Sequence, residues 1–159
     1  MKIKNDDCPG HENREEEANV NLINKDIFIF GEINNRSVGM FLMAFAQADM
    51  VPGIIRVFIC SAGGWVEGGL AMYDTIKSAQ NDVITIASGV VYSAAVLPFS
   101  AGDLRVMQKN TKLFLHPFSL TVEDATIKTI DMTSKETKEL FKIYCQCVAS
   151  KSKLTFIAK

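Results

Sequence analysis

Histidine, basic clusters and long apolar runs are scarce in this chain. Its 159 residues include two histidines, and 17 Lys and Arg against 18 Asp and Glu leave a net charge of −1. Without a basic patch the chain lacks the electrostatic footprint of a nucleic-acid-binding protein, so we expect no nucleic-acid partner. The longest apolar stretches, such as 54–60 and 94–99, are far shorter than a bilayer requires. We therefore expect no membrane anchor.

The features of secreted and metal-binding proteins are also missing. The N-terminal residues are polar and acidic, whereas a signal peptide needs a basic start and an apolar run. We therefore expect a cytoplasmic location, where the four cysteines would form no disulfide framework. Cys8 and His11 could be two metal ligands, but no second pair completes a site. We predict neither a metal nor a cofactor.

The organisation that remains is that of a single globular domain. Residues 1–19 are rich in Asn, Asp and Glu, which predicts a flexible acidic arm. The following 20–159 are long enough for one domain with a sizeable core, since 48% of the whole chain is hydrophobic.

Apolar runs typical of buried strands alternate with segments of helical spacing. This alternation predicts an α/β domain with a largely parallel sheet, whose strands are mostly apolar on both faces. The predicted strands include 27–30, 54–60 and 83–87, the last followed by a turn at Gly89. The predicted helices are 34–49, 67–80, a short one at 93–101, and a long one from about Ala125 to Ser150.

The pair Gly63-Gly64 falls between a predicted strand and a predicted helix. It has two interpretations, a tight turn or a place where backbone N–H groups approach a ligand. A phosphate loop is excluded, because no Gly-Lys-Ser/Thr follows.

Ser93 opens the short helix that follows the strand at 83–87. A serine at this position is usually an N-cap. The alternative is a nucleophile at the positive end of a helix, with the N–H of Ala94 as an oxyanion donor. His116 ends a predicted strand, and because His11 lies in the arm, it is the histidine available as a general base.

Taken together, these segments resemble the proteolytic subunit of the Clp protease, the ClpP family of serine peptidases. That family carries in order Gly-Glu-Ile, Ser-Pro-Gly-Gly-Ser-Val, Gly-Leu-x-Ile-Tyr-Asp-Thr, Gly-x-Ala-Ser-Met-Gly, Ala-Gly and Met-Ile-His-Gln-Pro. The corresponding segments here are Gly31-Glu-Ile33, Ser61-Ala-Gly-Gly-Trp-Val66, Gly69-Leu-Ala-Met-Tyr-Asp-Thr75, Tyr92-Ser93-Ala94, Ala101-Gly102 and Leu113-Phe-Leu-His116-Pro117. The resemblance covers roughly residues 27–150.

The resemblance implies a site and an assembly. Ser93 would be the nucleophile, His116 its general base, and the N–H groups of Gly64 and Ala94 the oxyanion hole. The fold would be the ClpP/crotonase type, built of repeated β-β-α units with a protruding handle helix from about Ala125. Polypeptide substrates would be cleaved inside a homo-oligomer of stacked heptameric rings, fed by an AAA+ unfoldase.

The chain departs from the family pattern around the nucleophile and at its end. Tyr92 and Ala95 replace the family's Ala and Gly beside the serine, and Pro117 replaces Gln after the histidine. The family's triad aspartate follows the histidine at a distance that falls beyond Lys159. We therefore expect the peptidase domain to lack its C-terminal part.

Three other functions stay open at this point. A ClpP-like ring or assembly subunit with an impaired triad is one, because the orienting acid is not seen. A phage head-maturation protease would use the same chemistry as the first interpretation. A crotonase-like acyl-CoA enzyme shares the fold, but Ser93 and His116 at these positions argue against it.

Overall fold

A twisted sheet with parallel central strands forms the framework, in a computed structural model that describes residues 19–116 and 127–150. The strands of the described residues are β1 Asn19–Ile23, β2 Asp26–Ile33, β3 Ile55–Gly64, β4 Val83–Tyr92, β5 Leu104–Met107 and β6 Lys112–Phe114. The helices are α1 Asn35–Asp49, α2 Val66–Lys77, α3 Val96–Ala101 and α4 Ile127–Ala149, and a 3-10 turn at Ser93–Ala95 precedes α3.

The strand order is β1-β2-β3-β4-β5, and β6 pairs with β4 beyond the end of β5. The pair β1–β2 is an antiparallel hairpin, while β2, β3, β4, β5 and β6 pair in parallel. The predicted α/β class and parallel sheet are confirmed. The arm predicted at 1–19 stays a prediction, because β1 begins at Asn19 and the residues before it lie outside the described ranges.

The core lies on one face of the sheet. Ile27 and Ile29 of β2 are fully buried with Val57 and Ile59 of β3. The opposite face carries Phe28, whose ring stacks on Phe58 of the next strand with centroids 4.8 Å apart. These strands therefore carry apolar residues on both faces, as predicted. On the second face, however, Phe28 and Phe58 are only half-buried and Phe30 is exposed.

Strand β4 is longer than its apolar run predicts. Ile59 pairs with Ala87 and Ser61 with Val91, so β4 holds two residues more than β3 in this interval. Such an excess is a β-bulge, which bends the strand without ending it. The turn predicted at Gly89 is wrong, since the chain continues through the bulge and pairs with β6 from Val90 onward.

The long C-terminal helix predicted from about Ala125 is α4. Its last turns pack on α3, where Leu97, Tyr144 and Cys145 form a small buried cluster. Among the helices of the described ranges, none combines the length and hydropathy that a bilayer-spanning segment requires.

Candidate functional site

The predicted site residues lie where three neighbouring strands end. Gly64 is the last residue of β3, Ser93 follows the last residue of β4, and His116 lies two residues beyond β6. The carboxyl ends of parallel strands meet at one edge of a sheet, which is where ligands bind in α/β folds. The fold therefore brings all three to the same edge.

Ser93 has a strained backbone. Its φ is 51°, in the left-handed region, and its side chain is 8% exposed. A non-glycine residue in such a conformation costs roughly 1–3 kcal/mol and persists only where its surroundings enforce it. In α/β-hydrolases a strained strand-to-helix turn presents the nucleophilic serine.

The N-cap interpretation of Ser93 is wrong. Within the described residues, Tyr92 and Ala95 occupy the N-cap positions of the 3-10 turn and of α3, and neither helix start has a side-chain cap bond. The hydroxyl of Ser93 is therefore not needed for capping.

The backbone turn at Ser93 packs directly against Gly63, which has no side chain. A Cβ on Gly63 would come within 2.7 Å of the Tyr92 carbonyl oxygen and within 3.0 Å of the Ala94 nitrogen. The φ of Gly63 is 99°, a backbone angle that residues with a side chain rarely adopt. Sequence reasoning noticed the Gly-Gly pair but placed only Gly64 in the site, because a close approach between two strands leaves no local signal.

The two predicted oxyanion donors border this turn. Ala94 is fully buried beside Gly63, and Gly64 follows Gly63 with φ 136°. Where β3 ends beside β2, the Ile33 carbonyl accepts a hydrogen bond from the N–H of Trp65 at 2.8 Å. The donor of this bond is Trp65 and not the neighbouring Gly64.

His116 reaches the site through aromatic contacts. Tyr92 pairs with Phe114 in the β4–β6 register, and their rings meet edge to face with centroids 5.7 Å apart. The His116 ring stacks on Phe114 at 5.8 Å, and the side chain is exposed. His116 thus packs on Phe114, which pairs with Tyr92, the residue directly before Ser93.

Tyr144 is a contact that sequence reasoning missed. Its hydroxyl donates a 3.0 Å hydrogen bond to the Ser93 carbonyl, and the side chain is 1% exposed. Burial raises the pKa of Tyr144 well above its ordinary value, and the neighbouring Cys145 adds to that rise. The place of Tyr144 at helical spacing with Phe141 and Val148 predicts a buried face. The only further signal is that a buried tyrosine hydroxyl needs a partner.

Thiol and metal chemistry find little support in the described residues. Burial raises the pKa of Cys145, and burial with the nearby Asp74 raises that of Cys147, so both are poor nucleophiles. Residues 19–116 and 127–150 hold no group of three His, Cys, Asp or Glu side chains suited to a metal ion. The Cys8 and His11 pair lies outside these ranges.

Comparisons with known proteins match this chain to one family. The family model described as "Clp protease" matches residues 11–156. The chain is 37% identical over 108 residues to "ATP-dependent Clp protease proteolytic subunit 3" of Rhizobium meliloti (strain 1021), covering 65% of this chain and 54% of that protein. It is 27% identical over 141 residues to "ATP-dependent Clp protease proteolytic subunit" of Dioscorea elephantipes, covering 81% and 68%.

The chain thus spans about half the length of the first of these relatives. Among solved structures, "ClpP1 N165D mutant from Listeria monocytogenes" superposes with a TM-score of 0.75 at 23% identity, covering 83% of this chain and 74% of that one. This likeness shows that the fold is that of ClpP. Because the family model matches most of its residues, the chain belongs to the Clp protease family.

Proposed function

We propose that the protein is a serine endopeptidase of the ClpP type. The observation that carries this proposal is the buried, left-handed turn at Ser93, with Gly63 against it and the Ala94 nitrogen beside it. A strained serine in this setting has no structural use that the described residues reveal. This setting supports acyl transfer, which requires a nucleophile beside preorganised N–H donors.

The proposed reaction proceeds through an acyl-enzyme. The Ser93 Oγ attacks the scissile carbonyl carbon while His116 takes the hydroxyl proton. The negative oxygen of the tetrahedral intermediate is stabilised by the N–H groups of Gly64 and Ala94. His116 then gives the proton to the leaving amine, and the C–N bond breaks. Water, deprotonated by His116, hydrolyses the ester and restores the serine.

The proposed setting is a cytoplasmic ring assembly that cleaves unfolded or small polypeptides. Family membership and the "proteolytic subunit" names of both relatives support it. We propose stacked heptameric rings with an AAA+ unfoldase as the source of substrate. Large exposed apolar residues on α1 and the loop after it are consistent with subunit contacts, among them Met43, Met50 and Val51.

Labelling with a fluorophosphonate tests the nucleophile. We expect one adduct on the folded chain, located at Ser93 by peptide mapping, and none on Ser93→Ala. Ser78→Ala is the matched control and should be labelled like the native chain. The Ser78 hydroxyl is exposed and bonds only the Thr75 carbonyl of its own helix among the described residues.

The alternative of an impaired ring or assembly subunit predicts a different result. A folded oligomer that forms no adduct at Ser93 would favour that alternative and would remove the peptidase proposal. Peptide hydrolysis that persists in Ser93→Ala would contradict both.

A further inference from the structure

The peptide plane between Ser93 and Ala94 has its two polar groups in different surroundings. The Ser93 carbonyl accepts the hydrogen bond of the Tyr144 hydroxyl at 3.0 Å. The Ala94 nitrogen lies beside Gly63, 3.0 Å from where a Cβ on that glycine would stand. In a trans peptide the C=O and N–H lie in one plane and point in opposite directions. A carbonyl held by α4 therefore turns the N–H away from α4, to the side of the Gly-Gly pair.

We propose that Tyr144 is a positioning residue of the oxyanion hole: its hydroxyl fixes the Ser93–Ala94 peptide so that the Ala94 N–H faces the reacting carbonyl. This inference rests on the proposed function, since it assigns to the peptide the role of an oxyanion donor. Tyr144 touches no substrate and acts only through the backbone of the nucleophile.

The position of Tyr144 suits this task. The side chain is 1% exposed, belongs to a buried cluster with Leu97 and Cys145, and its ring stacks parallel to that of Phe141 with centroids 6.3 Å apart. Because this packing holds the ring in place, the hydroxyl donates its hydrogen bond from one fixed position. Burial raises its pKa, so it stays protonated at every pH where the protein would work.

The peptide needs such a support because its plane can turn about the Ser93 Cα–C and Ala94 N–Cα bonds while the neighbouring residues stay in place. The backbone of Ser93 itself lies in the left-handed region, with a φ of 51°, a conformation that persists only where the surroundings hold it. A reversed plane would place the carbonyl oxygen where the N–H had been. That oxygen would repel the negative charge that the N–H should stabilise, so a reversal of the plane would abolish one of the two donors.

The test compares the phosphonylation kinetics of the native chain and Tyr144→Phe. Phenylalanine keeps the ring and its packing and removes only the donor. We expect the maximal inactivation rate to fall by roughly 10- to 100-fold, as for a reacting group moved by about an ångström. The half-saturating concentration of the fluorophosphonate should stay within about two-fold, because ground-state binding does not use the oxyanion donors.

Tyr73→Phe is the matched control. Tyr73 packs against the cluster of Leu97, Tyr144 and Cys145, but its hydroxyl lies 3.5 Å from that of Ser150 and not at the Ser93 carbonyl. Loss of this hydroxyl should leave the inactivation rate within about two-fold of the native value. Replacement of Tyr144 by 4-aminophenylalanine restores an N–H donor on the same ring and should recover most of the rate.

The outcomes separate the two proposals. Labelling of the native chain together with an unchanged rate in Tyr144→Phe overturns the positioning role and leaves the peptidase intact. A native chain that is not labelled at all overturns the proposed function, and the positioning role falls with it. If Tyr144→Phe does not fold, replacement of Tyr144 by 4-fluorophenylalanine takes its place, because fluorine fills the position of the hydroxyl without donating a hydrogen bond. A rate equal to the native one in that variant would overturn the inference.

Discussion

Gly63 lies in direct contact with Ser93. A Cβ built on the glycine would come within 2.8 Å of the Ser93 Cβ, closer than non-bonded Cβ contacts in folded proteins. Backbone atoms of Tyr92 and Ala94 crowd the same point, so no rotamer change can make room. The turn at Ser93 and the end of β3 thus pack so closely that position 63 has room only for a glycine.

Gly63→Ala should therefore destabilise the fold and distort the turn. We expect a loss of about 2–4 kcal/mol in the free energy of unfolding, from the clash and from the positive φ. Urea denaturation followed by circular dichroism measures this loss, and fluorophosphonate labelling should slow in parallel.

Gly39→Ala is the control for that substitution. Gly39 lies within α1, and a Cβ there would meet nothing within 4 Å. The same change should stabilise the protein by about 0.5–1 kcal/mol, because alanine is the better helix former. Equal effects at the two glycines would contradict the close packing described for Gly63.

His116→Ala should remove the general base and leave the fold intact. The side chain is exposed and stacks on Phe114, so we expect a change of less than about 0.5 kcal/mol in unfolding free energy. Labelling of Ser93 should slow by roughly four to six orders of magnitude, the range of losses for the removal of one triad member. Intact-mass time courses measure the rate. A rate near that of the native chain would show that another group accepts the serine proton.

Asp49→Ala should destabilise the loop that leads into β4. The carboxylate accepts hydrogen bonds from the Gln80 N–H at 3.0 Å, from the Asn81 N–H at 3.1 Å and from the Asn81 side chain at 2.8 Å. Removal of this shared acceptor should cost about 1–3 kcal/mol at pH 7. Asp82→Ala removes an exposed carboxylate of the same loop and should cost less than about 0.5 kcal/mol.

The contribution of Asp49 should also depend on pH. Burial alone would raise its pKa, but the hydrogen bonds from Gln80 and Asn81 and the charge of Lys25 outweigh burial and hold the pKa below 3.8. A carboxylate whose pKa is lowered on folding stabilises above its unfolded pKa and loses that effect as the pH falls through the folded one. The difference between native chain and Asp49→Ala should therefore persist from pH 7 to about pH 4 and shrink below it. A difference that grew on acidification would contradict this assignment.

Thr85→Val should weaken the contact between β4 and α3. The Thr85 hydroxyl is fully buried and donates to the Phe99 carbonyl at 2.7 Å. Valine has nearly the same shape but no donor, so we expect a loss of about 1–3 kcal/mol in urea denaturation. Thr75→Val removes a hydroxyl that bonds the Ala71 carbonyl within its own helix and should change stability by less than about 1 kcal/mol. The prediction fails if the two variants are equally stable.

The sequence predicts the elements better than it predicts their contacts. The apolar spacing of α1, with Val38, Phe41 and Phe45 on its buried face, is a local property and is recovered within a residue at either end. The bulge in β4 is not local. A glycine between apolar residues indicates a turn and a bulge equally well, and only pairing with β3 and β6 decides between them.

The same limit applies to the site. Ser93, His116, Gly64 and Ala94 stand in motifs that can be read along the chain. The roles of Gly63 and Tyr144 arise from contacts between segments far apart in sequence. No pattern of residues along the chain predicts that Gly63 packs against the Ser93 turn or that the Tyr144 hydroxyl bonds the Ser93 carbonyl.

The bond between Tyr144 and Ser93 joins residues separated by 51 positions, and the tyrosine is the later of the two. During synthesis at about 5–20 residues per second, the serine emerges from the ribosome roughly 3–10 s before its partner. The sheet partners that crowd the serine turn, β3 and β4, have already been made by then. A nascent chain therefore carries Ser93 in an unfinished setting until α4 has been made and has docked, so the proposed nucleophile should become reactive toward the polypeptides around it only after that step.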